Sequence, residues 1–244
     1  MATFYALAPP RVAGERPDRP SIATLAPVPE LTTSQVQRLG ERLRKQVTAE
    51  DLALLRQLRE SYRPVLDAVA GQVDALAKEL GITAPVATRP AKTTRSIISK
   101  LHRERTNLAR MQDIAGCRLV VPTLMQQDMV VDALRQREPA WKVDDLRQRP
   151  HHGYRAVHFV TPRPLPVEIQ VRTLLQQVWA SVSEFLDRQH EGLKYGQGPD
   201  HLLQALARGS ERMADWDAAG GPEPALLLDQ EAFVTRVAAM LTEP

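Results

Sequence analysis

The sequence predicts an α+β fold: a small mixed β-sheet flanked by helices, with helical extensions at the N- and C-terminal ends. Three observations carry this expectation. Apolar residues recur at helical spacing before residue 82 and again after residue 200. Short β-branched segments are confined to the middle of the chain. One of them, Val167–Arg172, alternates apolar and polar residues strictly. The 244 residues are 43% hydrophobic and 25% charged, which excludes wholesale disorder. Aromatics are only 5%, so Leu, Val, Ile and Ala must fill the core. The single cysteine, Cys117, excludes an internal disulfide and a cysteine-rich zinc site. Apolar runs are far shorter than a membrane span, and the first residues lack a secretory pattern. The expectation is a cytoplasmic protein with no membrane partner.

Each element follows in order. Residues 1–30 hold six prolines and no sustained periodicity, which predicts a disordered arm. Helices are expected over 31–82. Thr33 or Ser34 can cap the first, and Thr48 with Asp51 resembles a capping box that opens the second. The second has Leu52, Leu55, Leu58, Val65, Val69, Val73, Leu76 and Leu80 on its apolar side, a possible bend at Pro64, and Gly81 as its stop. A core spans 83–199. It begins with a helix over about 93–112, with Ile97, Leu101, Leu108 and Met111 apolar. Then come a strand over 118–121, a helix over 126–137, strands over 154–161 and 167–172, and a helix over 173–190. Helices near 200–216 and 225–241 complete a C-terminal unit, 200–244.

Charge is unevenly placed. From Arg89 to Arg118 there are eight Lys or Arg against Glu104 and Asp113, a net +6 in a chain of +3. A solvated basic face is the commoner meaning of such a run, but the field suits a polyphosphate or nucleic acid. Lys92, Ser96 and Lys100 at i, i+4 and i+8, with Arg103 adjacent, would form one helical stripe. In the alternating strand, Glu168, Gln170 and Arg172 share a face and could line a polar cleft. Tyr154 and His158 have the same parity on their strand. Gly153 permits close backbone approach, which suits a ligand-stacking ring. Asp113 and Glu168 lie on separate elements and could share a Mg²⁺.

Four blocks resemble the RelA/SpoT synthetase family in order and spacing over about residues 89–195. They are Lys92–Leu101, Asp113–Arg118, Gly153–His158 and Glu168–Thr173, followed by Trp179-Ala180 and Lys194-Tyr195-Gly196. The resemblance implies transfer of the β,γ-pyrophosphate of ATP to the ribose 3′-hydroxyl of GDP or GTP, giving (p)ppGpp and AMP. It implies that Asp113 and Glu168 bind Mg²⁺, with Glu168 also placed to activate the hydroxyl. Arg89, Lys92, Ser96, Lys100, Arg103 and Arg118 would hold ATP. Tyr154, Arg155, His158, Gln170 and Arg172 would hold the acceptor, with Tyr154 stacked on its base.

The chain departs from the family pattern at two places. Pro90 stands where the first block usually has Arg, with Arg89 displaced by one. Arg149-Pro150-His151-His152 stands where guanosine-specific members carry Lys and Asn. Two other readings therefore remain. One is a toxin that pyrophosphorylates the 3′-CCA end of tRNA, a branch that Gln177–Glu184 also resembles; an antitoxin protein would be its partner. The other is an inactive domain that binds nucleotide or protein. A homo-oligomer is compatible with each.

Overall fold

The structure, a computed structural model, describes residues 31–89, 91–190, 192–221 and 230–242. The expected arm 1–30, Pro90 and the last three residues of the expected linker 218–224 lie outside these residues. The fold is α+β. In chain order it runs α1 (Thr33–Lys45), α2 (Ala49–Glu79), β1 (Val86–Arg89), α3 (Thr94–Arg103), β2 (Ala115–Val121), α4 (Leu124–Arg137) and β3 (Lys142–Asp145). It continues through β4 (Val157–Val160), β5 (Val167–Thr173), α5 (Leu174–Gln189), α6 (Asp200–Ala218) and α7 (Gln230–Thr242).

Local chemistry starts these helices. Thr32 caps α1 with a full capping box, in which Gln35 bonds back to the Thr32 amide. The Thr48 hydroxyl accepts from the Asp51 amide to cap α2, and Thr173 with Gln176 forms the box that opens α5. α2 continues through Pro64, and Gly81 follows it with φ +72°, as a C-terminal stop requires. Leu55, Leu58, Val69, Val73 and Leu76 are buried, whereas Leu52, expected on the same side, is exposed.

The sheet has five strands in the order β1-β2-β5-β4-β3. β2 and β5 run parallel, and the other pairs are antiparallel. Alternation gives each central strand two faces. On one face Cys117, Leu119, Val121, Val167, Ile169 and Val171 join the apolar side chains of α1, α2, α3 and α4 in a single cluster. The N-terminal helices therefore share one core with the sheet. A second cluster unites α5, α6 and α7 around Val178, Trp179, Val182 and Leu206. No described helix is long and apolar enough to cross a membrane.

Several boundaries differ from expectation. β1 and β3 were not expected, and both are edge strands with largely solvated residues. The strand expected from Tyr154 begins at Val157, because Tyr154 is engaged in a bridge with His151 instead. The helix expected over 93–112 ends at Arg103. Arg105 turns the chain with φ +46°, and Asn107 caps a short 3₁₀ turn, Leu108–Arg110. Leu108 and Met111 still reach the core, but from outside the helix.

Candidate active site

The face of the sheet opposite the apolar cluster carries the polar residues, and strand register puts them in rows. Arg89 pairs with Gly116, and Gly116 with Glu168. In the next row Arg118 pairs with Gln170, Gln170 with His158, and His158 with Asp144. Gly116 keeps the first row tight: a Cβ there would lie 2.6 Å from the Glu168 carbonyl oxygen.

Asp113 stands two residues before β2, so it shares an end of the sheet with Glu168, the second residue of β5. Lys92 and Lys100 donate to the same Asp113 oxygen, Oδ2, at 2.8 and 2.7 Å. Lys92 lies ahead of α3, whose cap is Thr93, and so is not part of the helical stripe. Its amide bonds the Ile114 carbonyl at 2.7 Å, which carries it to Asp113. Burial raises the affinity of Asp113 for a proton, but Lys100 and Lys92 outweigh it and hold the carboxyl below its ordinary range. For Lys100, burial acts to lower the pKa; Asp113 and Glu104 reverse that and raise it. Asp113 Oδ1 is buried and has no hydrogen-bond partner among the described residues.

Glu168 accepts from Gln170 Nε2 at 2.7 Å, and its other oxygen lies 3.4 Å from His158 Nδ1. His158 Nε2 is 2.7 Å from the Tyr154 hydroxyl, which also accepts from Arg172 at 2.6 Å. The Arg172 guanidinium lies 4.9 Å from the Tyr154 ring centroid and also donates to Gln177 at 2.9 Å. Burial lowers the His158 pKa, with the Glu168 charge opposing, which leaves the ring neutral at pH 7. Burial raises the Tyr154 pKa, with Arg172 opposing. Arg118 donates to Gln170 at 3.4 Å. Burial, then the charges of Arg172 and Arg89, bring it down to about 10. Three guanidiniums on one face repel one another, and a polyanion would relieve that repulsion.

Not every expected residue joins these groups. The Ser96 hydroxyl is 2.9 Å from the Thr93 hydroxyl at the start of α3 and is exposed. Arg103 stacks 4.5 Å from the Tyr195 ring centroid and bonds Glu104 at 3.0 Å. Arg155 turns toward α6, donating to Ser210 at 3.3 Å and to the Arg147 carbonyl. In the sequence Gln177 stands out only as part of the stretch Gln177–Glu184, and Ser210 carries no signal. Among the described residues no three His, Cys, Asp or Glu assemble into a metal cluster. The oxygen set is instead one or two carboxylates, which suits a cation completed by substrate phosphates.

A mixed sheet with carboxylates, lysines and arginines gathered on one face, and helices covering the other, defines an α+β domain suited to a polyanionic ligand. Comparison with known proteins gives it a family. Residues 89–187 match the region found in RelA / SpoT proteins. Over 145 residues the chain is 31% identical to the GTP pyrophosphokinase YjbM of Bacillus subtilis, covering 53% of this chain and 67% of that protein. It is 36% identical over 127 residues to the uncharacterized protein Rv1366 of Mycobacterium tuberculosis, covering 49% of this chain but only 46% of that relative. The crystal structure of small alarmone synthetase 1 from Bacillus subtilis, bound to its product pppGpp, aligns with a TM-score of 0.56 at 25% identity. That alignment covers 65% of this chain and 90% of the synthetase. The chain belongs to the RelA/SpoT family.

Proposed function

We propose that this chain is an ATP-dependent pyrophosphokinase whose acceptor is the ribose 3′-hydroxyl of GDP or GTP. The observation that carries the reading is the pair of polar groups at one end of β2 and β5: Asp113 shared by Lys92 and Lys100, and Glu168 held by Gln170 and His158. The pppGpp-bound relative and the 31% identical GTP pyrophosphokinase support a guanine nucleotide as acceptor.

The bond between the α- and β-phosphorus groups of ATP breaks, the 3′-oxygen bonds the β-phosphorus, and AMP leaves. Phosphoryl transfer of this kind depends on positioning and charge neutralisation. Lys92 and Lys100 neutralise phosphate oxygens, and Arg118 with Arg89 flanks the nucleotide. Glu168 takes the proton of the 3′-hydroxyl. Tyr154, oriented through its hydroxyl by Arg172 and His158, offers the ring face opposite Arg172 to the acceptor base.

Mg²⁺ fits the oxygen donors here, since Asp113 Oδ1 is buried and otherwise unsatisfied. Asp113 and Glu168 would hold it, and when bound it supplies positive charge to the phosphates.

The test is incubation with γ-labelled ATP and GDP, GTP or deacylated tRNA. Label on the guanine nucleotides is the expected result. Label on tRNA alone would overturn the acceptor, an outcome favoured by the stretch Arg149-Pro150-His151-His152, which lacks the Lys and Asn of guanosine-specific members. Label on none would overturn the chemistry.

A further inference from the structure

We infer that the C-terminal segment, residues 192–218, is a clamp that sets the loop carrying Tyr154, with Ser210 as its positioning residue. The inference rests on the proposed function for the role of that loop, but its geometry does not. Ser210 is 2% exposed. Its hydroxyl donates to the Gly153 carbonyl at 2.5 Å and accepts from Arg155 Nε at 3.3 Å. One hydroxyl thus grips the residue on each side of Tyr154. It uses both its donor and its acceptor capacity, which an alanine or a valine could not replace.

A second grip lies one turn of the loop earlier. Gly196 has φ +74°, and a side chain there would run into the His152 ring. His152 itself is held at φ +50°. The two His151–Tyr154 backbone bonds, 3.2 and 3.0 Å, close the loop between the grips. Gly153 lies against α5 and α6 with no room to spare: a Cβ there would be 3.1 Å from Ser210 Cβ and 3.2 Å from Trp179 Nε1.

The clamp is tied in turn to the strand that carries Glu168. Thr173, at the end of β5, donates to Asp217 of α6. Helix α6 therefore joins β5, held at Asp217 by Thr173, to the two neighbours of Tyr154, held by Ser210 two turns earlier. Both grips, Gly196 and Ser210, lie beyond the family-matched residues 89–187. Acceptor geometry is in this way set by a part of the chain outside that segment.

The test compares the full chain with Ser210→Ala and Ser210→Thr by amide hydrogen exchange and by kinetics. Exchange over 151–156 should quicken about tenfold in Ser210→Ala, as expected for losing a buried hydroxyl that makes two hydrogen bonds. The KM for GDP should rise by about the same factor while the KM for ATP stays within about twofold. Ser210→Thr, which keeps the hydroxyl but adds a methyl group, should lie closer to the wild-type chain than Ser210→Ala in both. Unchanged loop exchange in Ser210→Ala would overturn the clamp. So would equal changes in both KM values. If the wild-type chain transfers no label, the proposed function fails alone, and hydrogen exchange still decides the clamp.

Discussion

Replacing Asp113 with Asn separates a structural carboxylate from a functional one. The substitution preserves volume and leaves an amide oxygen, but removes the charge that Lys92 and Lys100 share at 2.8 and 2.7 Å. The Asp113 side chain is 23% exposed, so solvent screens these pairs, and each contributes about 1 kcal/mol at most. Part of that is offset because the neutral amide is cheaper to bury. The net loss of stability should be about 1 kcal/mol, a Tm decrease of roughly 2–4 °C for a chain of this size. A domain with about 5–15 kcal/mol of stability remains folded at 25 °C after such a loss. Transfer of label from γ-labelled ATP to GDP should nevertheless fall by about 100-fold or more, because the negative charge of the proposed cation ligand is gone. That corresponds to about 2.7 kcal/mol of transition-state stabilisation. Initial rates and thermal melts on the same preparation make the comparison. Near-normal transfer, or a rate loss no larger than the loss of folded protein, would refute the assignment.

Three further outcomes are expected. Lys100→Met should raise the KM for ATP by about 10–100-fold, the range for losing one hydrogen bond to a charged group, and should leave the KM for GDP nearly constant. Gly116→Ala should cost about 1–3 kcal/mol in denaturant melts, since its Cβ would press on the Glu168 backbone at 2.6 Å and the strands must separate to admit it. The Asp51 carboxyl is held below its ordinary range chiefly by the Arg42 hydrogen bond at 2.6 Å. Its stabilisation is therefore present above the unfolded value of about 4 and is lost as pH falls through the lower folded value. Thermal melts between neutral pH and pH 3 should show a shallower decline for Asp51→Asn than for the wild-type chain.

The strand that carries Glu168 was legible because its alternation is strict and its neighbours are apolar on one face only. The cap at Thr48 was equally readable, since a hydroxyl ahead of a periodic run has a local partner, whereas α1 is capped by Thr32 and not by the expected Thr33 or Ser34. β1 and β3 were not readable. Val86–Arg89 has one partly buried residue, and Lys142–Asp145 contains two aspartates, so pairing with β2 and β4 rather than propensity makes them strands. The early end of α3 has no glycine or proline to announce it; Arg105 adopts a positive φ within an otherwise helix-compatible run. In the candidate site, Asp113, Glu168, Lys92 and Lys100 were legible in the sequence, but Lys92 reaches Asp113 through its backbone bond to Ile114 and not along a helical stripe. Ser210 was out of reach, because its partners Gly153 and Arg155 are 57 and 55 residues away and a lone serine on a helix gives no periodic signal.

Because Glu168, Gln170 and Arg172 project from a central strand rather than from a loop, the spacing of the chain matters as much as residue identity. Residues 161–166 connect β4 to β5 directly, with both strands fixed by their neighbours. A one-residue insertion or deletion there that slipped β5 in its register would turn Ile169 to the polar face and point the carboxylate and the guanidinium into the apolar core. The polar face and the apolar core are two readings of one alternating string, and neither can drift without the other. Variation in this chain should therefore be tolerated as substitution along β5 far more readily than as a change in the length of the segment leading into it.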